Sequence, residues 1–224
     1  MIVKIDDGQI EAAPDLLKGL LADVRSQGKN LFDEDAPREG LRWGRQFDRR
    51  FTQVTSYNTR PATLADAPAI ARIYSEGIAD RIATFETETR TSGHIQEWFR
   101  PGTLIVVAGA EKGIAAFAAS FPYSTRPCYA GIGEFSVYVA RDRRRQGAGR
   151  VVLSALIEAA RTSRLHKLMS RVFPENAASR TLLKRLGFSE IGTHRRYGKL
   201  DGIWRDCVIV ELLLDEEPLS AQAK

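Results

Sequence analysis

The segment Glu134-Phe-Ser-Val-Tyr-Val-Ala140, followed by Arg141-Asp-Arg-Arg-Arg-Gln-Gly-Ala-Gly-Arg150, constrains this chain more than any other stretch. It reads as a β-strand, then a tight turn carrying Arg-x-x-Gly-x-Gly (Arg144, Gly147, Gly149), then a helix beginning Arg150-Val-Val-Leu. Such a turn can bind a polyphosphate. Its glycines let backbone N–H groups approach an anion, the helix start adds unsatisfied donors and a positive dipole end, and the arginines neutralise charge. The spacing matches neither the P-loop nor the dinucleotide fingerprint, and an ordinary tight turn would also use these glycines.

The rest of the chain supplies the context. Tyr57-Asn-Thr-Arg-Pro61 reads as a strand leading into Thr63-Leu-Ala-Asp66, a capping pair for a helix with Ile70, Ile73, Tyr74 and Ile78 on its apolar face. Thr91–Phe99 is a second helix, and Thr103–Gly109 with Ile114–Phe121 a hairpin turned at Glu111-Lys-Gly113. Lys167–Phe173 suits a buried strand, Pro174–Arg180 opens a helix that ends at Leu186-Gly187-Phe188, and Trp204–Leu214 is a final strand after Glu190-Ile-Gly. Strands on both sides of helices, beside an antiparallel hairpin, predict an α/β (α+β) fold with a central mixed sheet flanked by helices.

A chain of 224 residues with 43% hydrophobic and 27% charged side chains is an ordinary globular composition with room for one substantial core. No apolar stretch is long enough for a membrane span, and Met1-Ile-Val-Lys-Ile-Asp-Asp lacks a basic flank followed by an apolar core, so neither a signal peptide nor a membrane span is expected. Cys128 and Cys207 have no disulfide or metal-ligand spacing, which makes a reduced cytoplasmic compartment the expectation and a metal site not one. The net charge of +5 sits outside residues 1–60, where ten basic and ten acidic residues cancel. Between Arg141 and Arg205 there are sixteen basic and five acidic residues. Nucleic acid could use such a face, but aromatics are not interleaved with the charges and no DNA-binding module is legible, so a small anionic cofactor explains it better.

Residues 1–56 read as an extension of unassigned role, with Leu16, Leu17, Leu20, Leu21 and Val24 at helical spacing and then a polar, aperiodic run. The organisation expected is thus extension 1–56, a domain over 57–214, and a flexible tail at 215–224.

From residue 57 to 214, the order of strand, anion-binding turn, helix, strand, Asn-x-x-Ser-led helix, Leu-Gly-Phe and strand resembles the GNAT N-acetyltransferase superfamily. Thr84-Phe-Glu-Thr-Glu88, Arg126-Pro-Cys-Tyr129, Glu134–Val139 and Trp204-Arg-Asp206 are similar to blocks of its phosphinothricin acetyltransferase group. Phe173-Pro-Glu-Asn-Ala-Ala-Ser-Arg180 and Gly198-Lys-Leu-Asp-Gly-Ile-Trp-Arg-Asp206 are similar to the arsinothricin-resistance N-acetyltransferases.

The resemblance implies acetyl-CoA as co-substrate, a small-molecule amine as acceptor, a homodimer, and direct attack without a covalent enzyme intermediate. Val137, Tyr138 and Val139 would bind pantetheine through the strand, with the thioester oxygen near the Val137 amide. Arg144, Arg145, Gln146, Gly147, Gly149 and Arg150 would cradle the pyrophosphate. Asn176 and Ser179, one helical turn apart, either cap their helix or hydrogen-bond the cofactor, and the two roles are compatible. Glu134 is expected as the general base for the acceptor ammonium, its structural alternative being a strand-end salt bridge. Arg126 and Tyr129 would face the acceptor, Arg126 as a carboxylate clamp or as a solvated surface residue. Phe85 is either a substrate-pocket aromatic or core. Arg205 stands where related phosphinothricin enzymes carry histidine, and supplies permanent positive charge instead. His94, His166 and His194 lie outside these blocks. The expected substrate is a glutamate-like antimetabolite of the arsinothricin or phosphinothricin type, acetylated on its α-amino group. The alternatives are another amine (an amino acid, methionine sulfoximine or a protein N-terminus) or a non-catalytic acyl-CoA-binding module.

Overall fold

The computed structural model describes residues 57–110 and 113–214; the extension, Glu111-Lys112 and the expected tail lie outside the described residues. β1 (Asn58–Pro61) runs into a short 3-10 turn (Leu64–Asp66) and α1 (Ala67–Ala79). The expected Thr63–Asp66 pair is present: the Thr63 amide donates to Asp66 Oδ2 at 2.8 Å and its hydroxyl at 3.1 Å. Arg60 adds two parallel bonds of 2.7 Å to the same carboxylate. The Arg60 hydrogen bond, outweighing the opposing effect of burial, holds the Asp66 carboxyl down to about 2.

Because the folded value lies below the ordinary 3.8, this carboxylate stabilises the fold above that pH and the contribution disappears as pH falls through about 2. Asp66 is only 7% exposed, so the shift converts to roughly 2 kcal/mol. Asp66→Asn is therefore expected to lower the unfolding free energy by roughly 2 kcal/mol at neutral pH and to flatten the acid limb below about pH 4. Urea titrations at neutral and acid pH check both.

α2 (Ser92–Gln96) is shorter than the expected Thr91–Phe99. Thr91 caps it, but Trp98 and Phe99 donate to Ile95 and Gln96 in tight i to i+3 bonds ahead of Pro101, and the helix stops. The remaining elements are β2 (Leu104–Ala110), β3 (Gly113–Pro122), β4 (Ile132–Val139), α3 (Ala148–Thr162), β5 (Lys167–Val172), α4 (Ala177–Arg185), β6 (Ser189–Leu200) and β7 (Ile203–Leu213). β4 begins at Ile132, so Glu134 is its third residue rather than its first. α3 begins two residues before Arg150, and β6 is a full strand where the sequence suggested only Glu190-Ile-Gly.

The strands form one seven-stranded sheet in the order β1-β2-β3-β4-β5-β7-β6. Every neighbouring pair is antiparallel except β4 and β5. This is the mixed sheet expected from the sequence. Central strands are apolar at consecutive positions because successive side chains alternate between two covered faces. Ile105, Val107, Phe117, Ala119 and Tyr138 pack with Ile70 and Ile73 of α1 on one face. Val106, Ala116, Ala118, Phe135 and Leu168 pack with Val152, Leu153 and Leu156 of α3 and Leu183 of α4 on the other. The site lies where this sheet splits.

Candidate active site

β4 pairs with β3 along its length, from Gly133 opposite Pro122 to Val139 opposite Ala116. With β5 it pairs only at Ile132, Gly133 and Glu134, the last opposite Met169. Beyond Glu134 the two parallel strands diverge. The bonds Tyr123 N–H to Ile132 C=O (3.0 Å) and Ala140 N–H to Ala115 C=O (2.8 Å) fix the alternation, so the even-numbered residues of β4 direct their backbone groups to β3. Phe135, Val137 and Val139 consequently turn N–H and C=O into the gap. Tyr138 does not, which corrects the expectation that grouped it with its neighbours: its backbone belongs to the β3 ladder, and its phenol is buried against Tyr74, 3.5 Å from the Ala83 carbonyl. Burial is the chief influence raising the phenol pKa of both Tyr138 and Tyr74, so both are neutral at physiological pH.

At the far end of β4 a 3-10 turn (Arg141–Arg143) leads to Gly147, the residue before α3, at φ +88°. Only glycine adopts that conformation without strain, and open space lies where a Cβ would stand. Among the described residues, the amides of Ala148, Gly149 and Arg150 have no backbone acceptor, as the first turn of a helix requires. Gln146 is stitched into the turn, its amide donating to the Asp142 carbonyl at 2.9 Å. Arg145, at φ +63°, and Arg150 are exposed. Arg144 departs from the expected phosphate cradle: its Nη2 is 2.6 Å from Asp80 Oδ2 and its Nε donates to the Val139 carbonyl at 3.3 Å. Asp80 also takes Arg141 at 2.6 Å. Partial burial works against ionisation of Asp80, but the two arginines outweigh it and hold its pKa below the ordinary value. Asp80, at the end of α1, thus moors the turn, a role the sequence reading missed.

On the α1 face of the split lies a cavity of about 490 Å³. Aromatic side chains, among them Tyr74, Phe85, Trp98, Phe121, Phe173 and Tyr197, share its wall with the polar groups of Thr84, Glu86, Glu134, Ser136, Ser170 and Arg171. Phe85 is both pocket and core, as the two readings allowed. Its ring meets Phe173 edge-on at 4.8 Å and packs with Leu200 and Cys207. It also lies over Gly198, where an added Cβ would come within 2.9 Å of it. Burial pushes the Cys207 thiol up to about 11, so it lines the cavity as a neutral group.

Glu134 reaches this cavity from the last paired rung of β4 and β5. Its carboxylate is ion-paired with Nη2 of Arg171, so the salt-bridge alternative is realised in a position that also suits a base. Arg171 Nη1 donates to the Tyr197 hydroxyl at 2.9 Å. Burial would lower the arginine's pKa, but the hydrogen bond and charge of Glu134 outweigh it and hold it above its ordinary value. Neither Arg171 nor Tyr197 was found from sequence. Arg171 had a signal, a charge in the interior of the strand-like run Lys167–Phe173, whereas Tyr197 sits in a polar stretch with no strand pattern.

Three expected substrate residues are not on the cavity wall. Arg126 and Tyr129 are exposed in the β3–β4 loop, the guanidinium 5.3 Å from the tyrosine ring centroid. Arg205 is paired with Glu175 at 3.1 Å across the start of α4. Asn176 caps α4, accepting from the Ser179 amide at 3.1 Å, and its Nδ2 donates to the Ile82 carbonyl at 3.2 Å. No group of three or more His, Cys, Asp or Glu with metal-ligand geometry occurs among the described residues, and none of their helices is long and apolar enough to cross a membrane.

The acetyltransferase (GNAT) family model matches residues 70–188. An L-methionine sulfoximine/L-methionine sulfone acetyltransferase of Pseudomonas aeruginosa is 34% identical over 165 residues, spanning 71% of this chain and 96% of the relative. A phosphinothricin N-acetyltransferase of Streptomyces coelicolor is 30% identical over 154 residues, spanning 66% of this chain and 90% of the relative. Among solved structures, a phosphinothricin acetyltransferase from Sinorhizobium meliloti in complex with acetyl-CoA superimposes with a TM-score of 0.67 at 25% identity, covering 71% of this chain and 89% of that one.

Proposed function

Because this chain belongs to the acetyltransferase (GNAT) family and is an acetyl-CoA-dependent N-acetyltransferase, we propose that its acceptor is the α-amino group of a small amino acid of the phosphinothricin, methionine sulfoximine or arsinothricin kind. Acetylation removes the free ammonium by which such a compound mimics an amino acid, so detoxification and resistance follow. The observation that carries this reading is the position of Glu134, a carboxylate at the point where β4 parts from β5 and opens into an aromatic cavity.

The residues present fit acetyl-CoA. Phe135, Val137 and Val139 offer an amide-bearing arm an edge with no strand beside it among the described residues, the Val139 carbonyl alone being taken by Arg144, and the edge runs into the open glycine turn and free amides at the start of α3, which suit a pyrophosphate. Bound there, acetyl-CoA supplies an activated acyl carbon. The chain's own part is to orient the acceptor and take its proton: an ammonium cannot attack, and Glu134, directly or through water, is placed to accept the proton as the amine closes on the acyl carbon. With the phenols of Tyr74 and Tyr138 neutral, the carboxylates Glu134 and Glu86 are the proton acceptors of the cavity, and of the two it is Glu134 that stands where the strands part.

A cavity of about 490 Å³ favours a small acceptor over a protein N-terminus. The edge strand β6, without a partner among the described residues and with Ile191 and neighbouring Ile203 and Trp204 exposed, supports a homodimer, and two unpaired cysteines support the cytoplasm. Release of CoA thiol, followed over phosphinothricin, methionine sulfoximine, arsinothricin, the standard amino acids and short peptides, tests the reading. Fastest turnover is expected with the glutamate-like analogues, and turnover confined to peptides would refute it.

A further inference from the structure

Arg171 is the only cation among the described residues that line the cavity, whose other charged side chains are Glu86 and Glu134. It is the last residue but one of β5, opposite Ile209 of β7 and next to the buried Val172. Its side chain is 29% exposed. A half-buried ion pair in a cleft adds little to stability, because desolvating the two charges offsets most of their attraction. Stability therefore gives weak grounds for an arginine here. Of its five N–H donors, one meets Glu134 and one meets Tyr197, and the others have no hydrogen-bond partner among the described residues. The guanidinium carbon also lies 5.5 Å from the Tyr197 ring centroid, which steadies the plane of the fork.

We propose that Arg171 is the receptor for the α-carboxylate of the acceptor and reaches that role by exchanging its ion pair with Glu134. The inference rests on the reading of the acceptor as an α-amino acid. In such a molecule the ammonium and carboxylate are two bonds apart, and Glu134 and Arg171 are adjacent opposite charges. When the zwitterion enters, its ammonium takes Glu134 and its carboxylate takes Arg171. One ion pair and one zwitterion become two ion pairs, and no charge is left uncompensated. The exchange also frees Glu134 from its guanidinium partner at the moment its substrate arrives. The proton then passes from ammonium to Glu134, the nitrogen lone pair forms the new N–C bond with the acyl carbon, and the C–S bond breaks with its electron pair on the CoA sulfur, which takes the second proton leaving the nitrogen and departs as the thiol. An amine without a carboxylate that took Glu134 would leave Arg171 half-buried and unpaired, which the site penalises. Specificity for amino acids over plain amines thus arises from the exchange itself.

The test compares L-phosphinothricin and L-methionine sulfone with their α-carboxamides, using the full-length chain, Arg171→Met and Arg171→Lys. Arg171→Met is expected to raise KM for the acids on the order of 100-fold, the scale for losing one partner of a desolvated charge pair, with a much smaller change in kcat. KM for the carboxamides should stay within about threefold, and Arg171→Lys should recover roughly tenfold for the acids. Equal losses on acids and carboxamides, or no change on either, would overturn the assignment. Retained stabilisation by acetyl-CoA shows that each variant is folded. Calorimetric binding of the same compounds separates this inference from the functional reading. If no acid is acetylated, the functional reading fails, whereas Arg171 stands if the wild type binds acid over carboxamide and Arg171→Met abolishes the preference. A wild type without that preference refutes the exchange.

Discussion

Replacing Glu134 with Gln should lower kcat roughly a hundredfold or more at neutral pH, the usual scale of general-base loss, while acetyl-CoA binding is unchanged. Gln keeps the shape and can accept a hydrogen bond, but it cannot take the acceptor's proton. The loss should shrink as pH rises, because a growing share of the amine is already neutral. The pair with Arg171 sharpens the expectation. Glu134→Gln removes the competitor for the guanidinium together with the partner of the incoming ammonium, two effects of opposite sign on binding, so KM for a carboxylate-bearing acceptor should change far less than kcat. Steady-state kinetics across pH with one good acceptor read both parameters. Full kcat at neutral pH would mean that another base or bulk water removes the proton.

The second large effect is expected at the turn. Gly147→Asp places a carboxylate where phosphates should lie and forces an L-residue to φ +88°. Acetyl-CoA should stabilise the wild-type chain by mass action, by about 2.7 kcal/mol at a hundredfold excess over Kd, and this gain should vanish in the variant. Thermal unfolding with and without acetyl-CoA measures it. An undiminished shift would remove the turn from the binding site.

The fold was legible where chemistry and periodicity agree. The run Glu134–Ala140 followed by Gly147 and Gly149 located β4, the turn and α3, because a strand pattern and a glycine-rich turn, with Gly147 at positive φ, are local properties. Thr63 and Asp66 located the start of α1 for the same reason. β6 was not legible: nearly all its side chains are exposed, and its register breaks between His194 and Gly198, with Arg196 at φ +50°, so no alternation survives. Its one local signal was the Asp201-Gly202 pair, whose two positive φ values of 49° and 79° make the two-residue hairpin turn. Site residues divided in the same way. Glu134, Phe85 and the glycine turn follow from local motifs, and they lie in the split or its cavity. Arg171 reaches Glu134 across 37 positions of sequence, and Asp80 reaches Arg141 across 61, through the sheet order alone. Arg126, Tyr129 and Arg205 are cationic or aromatic residues in matching blocks, yet loop placement and the partner Glu175 keep them off the cavity wall.

The central claim is that this chain moves an acetyl group from acetyl-CoA to the α-nitrogen of a free amino acid. The most direct measurement is thiol release by the purified full-length chain with and without L-phosphinothricin, with mass spectrometry of the amino acid in the same reaction. The expected result is thiol release that depends on the amino acid and matches, mole for mole, the appearance of its N-acetyl derivative. Thiol release that is the same with and without any free amino acid, and no acetylated product, would contradict it.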